Sequence, residues 1–170
     1  MRIALIGCGF FAHNHINAWN DIPNVELVAI CDLNPERLES AAQLASGARK
    51  FHDPLDLFAW GDFDVIDIAT TVNSHHELVM QAAKQNVHII CQKPFAPNLS
   101  DAREMTKAME KTGKVLMVHE NFRWQSAIRA VIEDVRNNVI GAPFFARVSF
   151  RSGFDVYKTQ PYLAESERFI

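Results

Sequence analysis

Cysteine is scarce in this chain of 170 residues: Cys8, Cys31 and Cys91 are an odd number, and no two form a C-x-x-C pair. That excludes a disulfide framework and a thiol redox motif, and it suggests reduced core thiols in a reducing compartment. No apolar run reaches the roughly 18 residues that a membrane span needs. The apolar N-terminus runs into Gly-Cys-Gly rather than a signal-type cleavage site, so a cytosolic protein is expected. No basic run occurs and the net charge is −3, which argues against a nucleic-acid partner. The pairs His13/His15 and His75/His76 lack the i, i+4 spacing of helix-borne metal ligands, so no metal is expected. What remains is an ordinary globular composition, 48% hydrophobic and 22% charged.

Within that composition, strand and helix patterns alternate, which predicts a doubly wound parallel sheet of the Rossmann type. Strands are expected at 2–6, 25–30, around Phe51, and at 65–69, 87–90 and 115–118. Helices are expected at about 11–20, from Pro35 to about Ser46 (stopped by Gly47), from Pro54, from His75 to Gln85, and from a Ser100 cap to Gly113. Asn34 is the expected cap before Pro35, and Asn86 a left-handed stop. The nucleotide-binding domain should occupy 1–120. Beyond it, Ile128, Val131, Ile132, Val135 and Val139 share one helix face, and Gly141-Ala-Pro143 ends that helix. Residues 144–151 then alternate as a half-buried strand, with Phe144, Ala146, Val148 and Phe150 on one side. Phe145, Phe154 and Phe169 also fall in this stretch, and no partner strand is visible. The expectation for 121–170 is therefore the start of a second, α+β domain, begun but not finished, in a fragment or truncated product.

Three segments carry chemistry. Gly7-Cys-Gly9-Phe10-Phe11-Ala12 follows the first strand as G-x-G-x-x-A. A glycine turn meeting a helix N-terminus there suits a pyrophosphate. Gly7 allows the turn, Gly9 the close approach of phosphate, and Ala12 the packing of helix on strand; an unrelated tight turn would look the same. Asp32 ends the second strand, where a carboxylate can accept from an adenosine ribose, or else cap the next helix. Leu33 follows it, so nothing obvious greets a 2′-phosphate, which favours NAD over NADP. Thr70-Thr71-Val72-Asn73-Ser74-His75 follows the fourth strand, either as cofactor contacts or as a polar loop before a helix. Gln92-Lys93-Pro94 follows the fifth. A lysine there could sit beside a nicotinamide and pass a substrate proton, or be a solvated surface charge.

Together these segments resemble the Gfo/Idh/MocA oxidoreductases, the glucose–fructose oxidoreductase and inositol dehydrogenase group. Gly7 to Ala12 with His15 is similar to the family's G-x-G-x-x-A…H opening, and Cys31-Asp32-Leu33-Asn-Pro-Glu-Arg37 to its second-strand segment. His75 lies eighteen residues before Lys93, as in its A-T-P…H…E-K-P stretch. The resemblance implies an NAD-dependent oxidoreductase passing a hydride between nicotinamide and a hydroxyl-bearing carbon of a sugar, polyol or cyclitol. It implies that Lys93 is the active-site lysine and that a cis or otherwise fixed peptide bond precedes Pro94. It also makes Phe10, Phe11, Leu33, Arg37, Thr70, Thr71, Asn73, His75, Gln92 and Pro94 cofactor contacts beside Gly7, Gly9, Ala12 and Asp32. Asn121-Phe122-Arg123 resembles the start of the family's second domain, which puts Asn121 and Arg123 near substrate and expects homo-oligomers through the C-terminal sheet. Gln92 departs from the family's glutamate and Thr71 from its proline. A G-x-H-x-x-D segment supplying further catalytic groups would lie past residue 170. A non-catalytic dinucleotide-binding or sensor protein is the alternative reading, and an interaction module with an empty site is a third.

Overall fold

The computed structural model describes residues 1–149, 151, 153 and 155–159. The chain divides into two units, Met1–Trp124 and Gln125–Ile170. In the first, six strands form one parallel sheet: β1 (Arg2–Ile6), β2 (Glu26–Cys31), β3 (Arg49–Phe51), β4 (Val65–Ile68), β5 (His88–Gln92) and β6 (Leu116–His119). Their order is β3-β2-β1-β4-β5-β6, the doubly wound Rossmann arrangement that the alternation implies.

The intervening helices are α1 (Ala12–Asp21), α2 (Pro35–Ala42), α3 (Pro54–Trp60), α4 (His75–Gln85) and α5 (Leu99–Glu110). Alternate residues of β1 sort them onto two faces. Ile3 and Leu5 pack with Ala12 and Ile16 of α1 and with Leu38 and Ala41 of α2. Ala4 and Ile6 belong to the opposite core, with Leu57 and Phe58 of α3, Val79 and Ala82 of α4, and Met105 and Met109 of α5. Burial on both faces favours apolar residues, which is why β1 after Arg2 and β2 after Glu26 read as unbroken hydrophobic runs.

The helix ends follow local chemistry. The side chain of Asn34 accepts from the Glu36 and Arg37 N–H groups, and Asn86 stops α4 at φ 56°. Two expected ends are corrected. Asn98, not Ser100, caps α5, because its side chain reaches the Asp101 N–H. Helix α2 ends at Ala42, ahead of Gly47, and residues 43–47 continue as turns.

In the second unit, α6 runs Ser126–Arg136, and Val156–Thr159 adds one helical turn, α7. The strand expected at 144–151 is not formed across 144–149, where Phe144 and Val148 are 101% and 91% exposed. A strand needs a neighbour for its ladder hydrogen bonds, and the alternating side chains alone do not supply one. Phe150, Phe154 and Phe169 lie outside the described residues. No helix among the described residues is long and apolar enough to cross a membrane.

All three cysteines are free and buried. Burial pushes each thiol up to about 12, with the Asp32 carboxylate adding to the effect at Cys8 and Cys31 and Asp67 at Cys91. The unfolded chain sheds these protons near pH 9, whereas the folded chain keeps them to about 12. Stability should therefore fall as pH rises through that interval. Denaturant titrations at pH 7, 9 and 10.5 should show the decline. At pH 8 a thiol reagent should label the three cysteines only after unfolding.

Candidate functional site

The strand order reverses between β1 and β4, and ligands of open α/β sheets bind where strand order reverses, outside the carboxyl ends. Gly7 forms one wall. Its φ is +95°, and a Cβ there would lie 2.7–2.8 Å from Ala69 C, Ala69 O and Thr70 N. Its N–H donates to the Cys31 carbonyl at 2.8 Å. Gly9, by contrast, has nothing within 4 Å of its Cβ position, so open space lies over the turn. No side chain caps the start of α1 at Phe11, which leaves that helix end suited to an anion. Phe10 is 63% exposed, Phe11 is half-buried and Ala12 is fully buried.

Asp32 reaches back into the turn. Its Oδ2 accepts from the Cys8 N–H and its Oδ1 from the Asn34 N–H, both at 2.7 Å. The capping alternative fails because Asn34 caps α2. Asp32 is only half-buried, so its carboxylate retains acceptor capacity toward the crevice. Leu33 and Arg37 are exposed nearby. Arg37 joins Cys8, Gly9 and Phe10 in lining a shallow depression. Sequence reasoning missed the other lining residues, His13, Glu36 and Ser40.

On the opposite wall, Ser74 Oγ donates to Thr70 Oγ1 at 2.7 Å, while Thr71 and Asn73 are exposed. His75 does not reach the crevice surface, because its side chain is fully buried. Its Nε2 lies 3.1 Å from the Thr70 carbonyl oxygen, and its Nδ1 lies 3.1 and 3.2 Å from those of Pro94 and Phe95. All three neighbours are acceptors, so whichever ring nitrogen carries the proton donates, and the ring sits between the β4 loop and the β5 loop.

Lys93 is exposed at the end of β5 and joined to Pro94 by a cis peptide bond. Gln92 before it is buried, so its side chain too is withdrawn from the crevice surface. It belongs to a polar chain that crosses the sheet. His15 Nδ1 donates to Asp67 Oδ2 at 2.8 Å, and Trp19 Nε1 donates to the same oxygen at 2.7 Å. Gln92 Nε2 donates to His15 Nε2 at 3.3 Å and to His119 Nδ1 at 3.2 Å, while its Oε1 accepts the Lys93 N–H at 2.7 Å. The His15 and His119 rings meet edge to face at 4.6 Å, with Phe11 beside both. Burial and then the neighbouring His15 ring push His119 below the ordinary histidine value.

Asp67, Trp19 and His119 escaped the sequence reading. The available signal was an aspartate inside the apolar run Val65-Ile-Asp-Ile-Ala69, since a buried carboxylate requires donors. Asn121 is half-buried, with its Oδ1 enclosed and without a hydrogen-bond partner; Arg123 is exposed and lies over the Trp124 ring at 5.5 Å. No cluster of three or more metal-ligating side chains occurs among the described residues.

Comparison with known proteins then decides the family. The family model described as oxidoreductase family, NAD-binding Rossmann fold (Gfo/Idh/MocA) matches residues 1–120. The chain belongs to the Gfo/Idh/MocA family. It is 54% identical to a D-apiose dehydrogenase of Paraburkholderia graminis over 98% of this chain and 44% of that protein. It is 30% identical to a myo-inositol 2-dehydrogenase of Thermotoga maritima over 89% of this chain and 45% of that protein. An Agrobacterium radiobacter oxidoreductase, solved with NAD+, L-tartaric acid and magnesium, superposes with a TM-score of 0.96 at 53% identity. That match covers 100% of this chain and 50% of that one. The chain thus spans about half the length of the Gfo/Idh/MocA relatives it matches.

The two glycines should separate experimentally. Gly7→Ala forces a Cβ onto the Ala69 backbone at a positive φ. It should cost on the order of 2 kcal/mol or more of stability. Gly9→Ala has room, and should stay within roughly 1 kcal/mol of wild type. Urea denaturation of both variants measures the difference.

Proposed function

We propose that the chain is the NAD-binding part of a dehydrogenase acting at a hydroxyl-bearing carbon of a sugar, polyol or cyclitol. The observation that carries this reading is Lys93, exposed at the carboxyl end of β5, two strands from the glycine turn. The cofactor fits the residues present: open space over Gly9 and an uncapped α1 suit a diphosphate. Asp32 would accept from the adenosine ribose, with Leu33 and Arg37 beside the adenosine. Thr71 and Asn73 would border the nicotinamide half. When bound, NAD supplies a hydride acceptor.

The work of the protein is then to orient and to move a proton. Lys93 would hold the substrate hydroxyl and take its proton as the carbon is oxidised, or return it in the reverse direction. His75 would hold the Thr70 loop against the Lys93–Phe95 loop, keeping both edges of the crevice in register. Relatives named for D-apiose and myo-inositol point to the substrate class. Three buried free thiols agree with a cytosolic setting.

In the intact protein, Lys93→Ala should leave NADH binding within a few-fold while lowering turnover on a sugar and polyol panel by roughly 10²-fold or more. Tryptophan fluorescence during NADH titration measures binding. Turnover retained by Lys93→Ala would sink the catalytic role, and binding without turnover in the wild type would favour a sensor.

A further inference from the structure

Gln92 makes contacts that a space-filling residue would not need. Its Oε1 faces the Lys93 N–H at 2.7 Å, and that contact fixes which end of the amide is oxygen. Its Nε2, which can only donate, then faces the two rings at 3.3 and 3.2 Å. Both facing nitrogens, His15 Nε2 and His119 Nδ1, must therefore be unprotonated. His15 carries its proton on Nδ1, where it is given to Asp67, and a neutral His119 carries its proton on Nε2.

Reversing the amide would set its NH₂ group against the Lys93 N–H, two donors face to face. A proton arriving at either facing nitrogen meets the same conflict from the other side. We infer that Gln92 is a positioning residue that couples the charge state of His15 and His119 to the seating of the Lys93 backbone. The seat holds while His119 is neutral and is released when that ring gains a second proton.

The groups acting on His119 come from four directions: His15 from α1, Asp67 from β4, Lys93 after β5 and the adjacent Glu120. Burial and the His15 ring outweigh the two carboxylates, so His119 stays neutral below the ordinary histidine value of 6.5. The sign follows. The seat is complete at neutral pH, and acidification through the His119 titration opens it, since the unfolded or opened chain binds that proton more readily.

The inference rests on Lys93 being the reactive lysine, but its test does not use turnover. In the ¹⁵N-labelled chain, the neutral wild type should show His119 protonated on Nε2 and His15 on Nδ1. The Lys93 amide should be protected from exchange, and that protection should drop as His119 titrates. Gln92→Glu keeps an acceptor for the Lys93 N–H and offers acceptors to both rings. It should preserve amide protection while raising the His119 midpoint by about one pH unit or more. Gln92→Leu removes both functions and should speed Lys93 amide exchange by about tenfold or more. An unchanged His119 tautomer and midpoint in Gln92→Glu, or Lys93 protection indifferent to the His119 titration, would overturn the coupling. If Gln92→Leu does not fold, Gln92→Glu decides alone. Should Lys93→Ala prove fully active, the proposed reaction falls, while these spectra still report on the coupling.

Discussion

Where β1 leaves the sheet, its backbone passes so close to the end of β4 that a single methyl group at Gly7 would penetrate the Ala69 and Thr70 main chain. That contact sets the width of the crevice at the reversal of strand order. It also brings the glycine turn within reach of Asp32, whose carboxylate takes the Cys8 N–H. The turn is thus held from both sides, by backbone contact with β4 and by a charge-assisted hydrogen bond from the end of β2. The open space over Gly9 is what this bracing leaves for a ligand.

A second constraint runs beneath the crevice. Asp67 sits in a strand that is buried along its whole length, so its charge must be met inside the protein. His15 and Trp19 of α1 meet it at one oxygen. The same His15 then passes the hydrogen-bonding pattern to Gln92 on β5 and through it to His119 on β6. One buried carboxylate therefore orients polar side chains on a helix and two further strands, and the chain of contacts ends at the Lys93 backbone. Hydrogen bonds of this kind contribute little net stability but are costly to break singly, which favours one arrangement over alternatives.

Much of this was legible from residue order. The glycine turn, Asp32 and the alternation of strand with helix each act locally or repeat with a short period, so sequence spacing reveals them. The Lys93 position was legible for the same reason: it ends a recognisable strand. The Asp67–His15–Gln92–His119 chain was not, because its members lie on four elements and meet only after the sheet has formed. His75 and Gln92 look like crevice residues in sequence, yet the fold turns both side chains inward, where they brace loops. The strand expected at 144–151 does not form across 144–149 for a different reason: alternation encodes a face, while a ladder requires a neighbour. The cap of α5 moved from Ser100 to Asn98 because the earlier residue already satisfies the first turn.

The proposed function requires a dinucleotide held across the reversal of strand order, with Lys93 at its working end. The most direct test is a ¹⁵N–¹H titration of the chain with NADH, mapping every amide that moves. Saturable shifts concentrated at Gly7–Ala12, Asp32, Thr70–Asn73 and Lys93 are the expected result. No saturable shift, or shifts confined to surfaces away from the carboxyl ends of β1, β2, β4 and β5, would contradict the account.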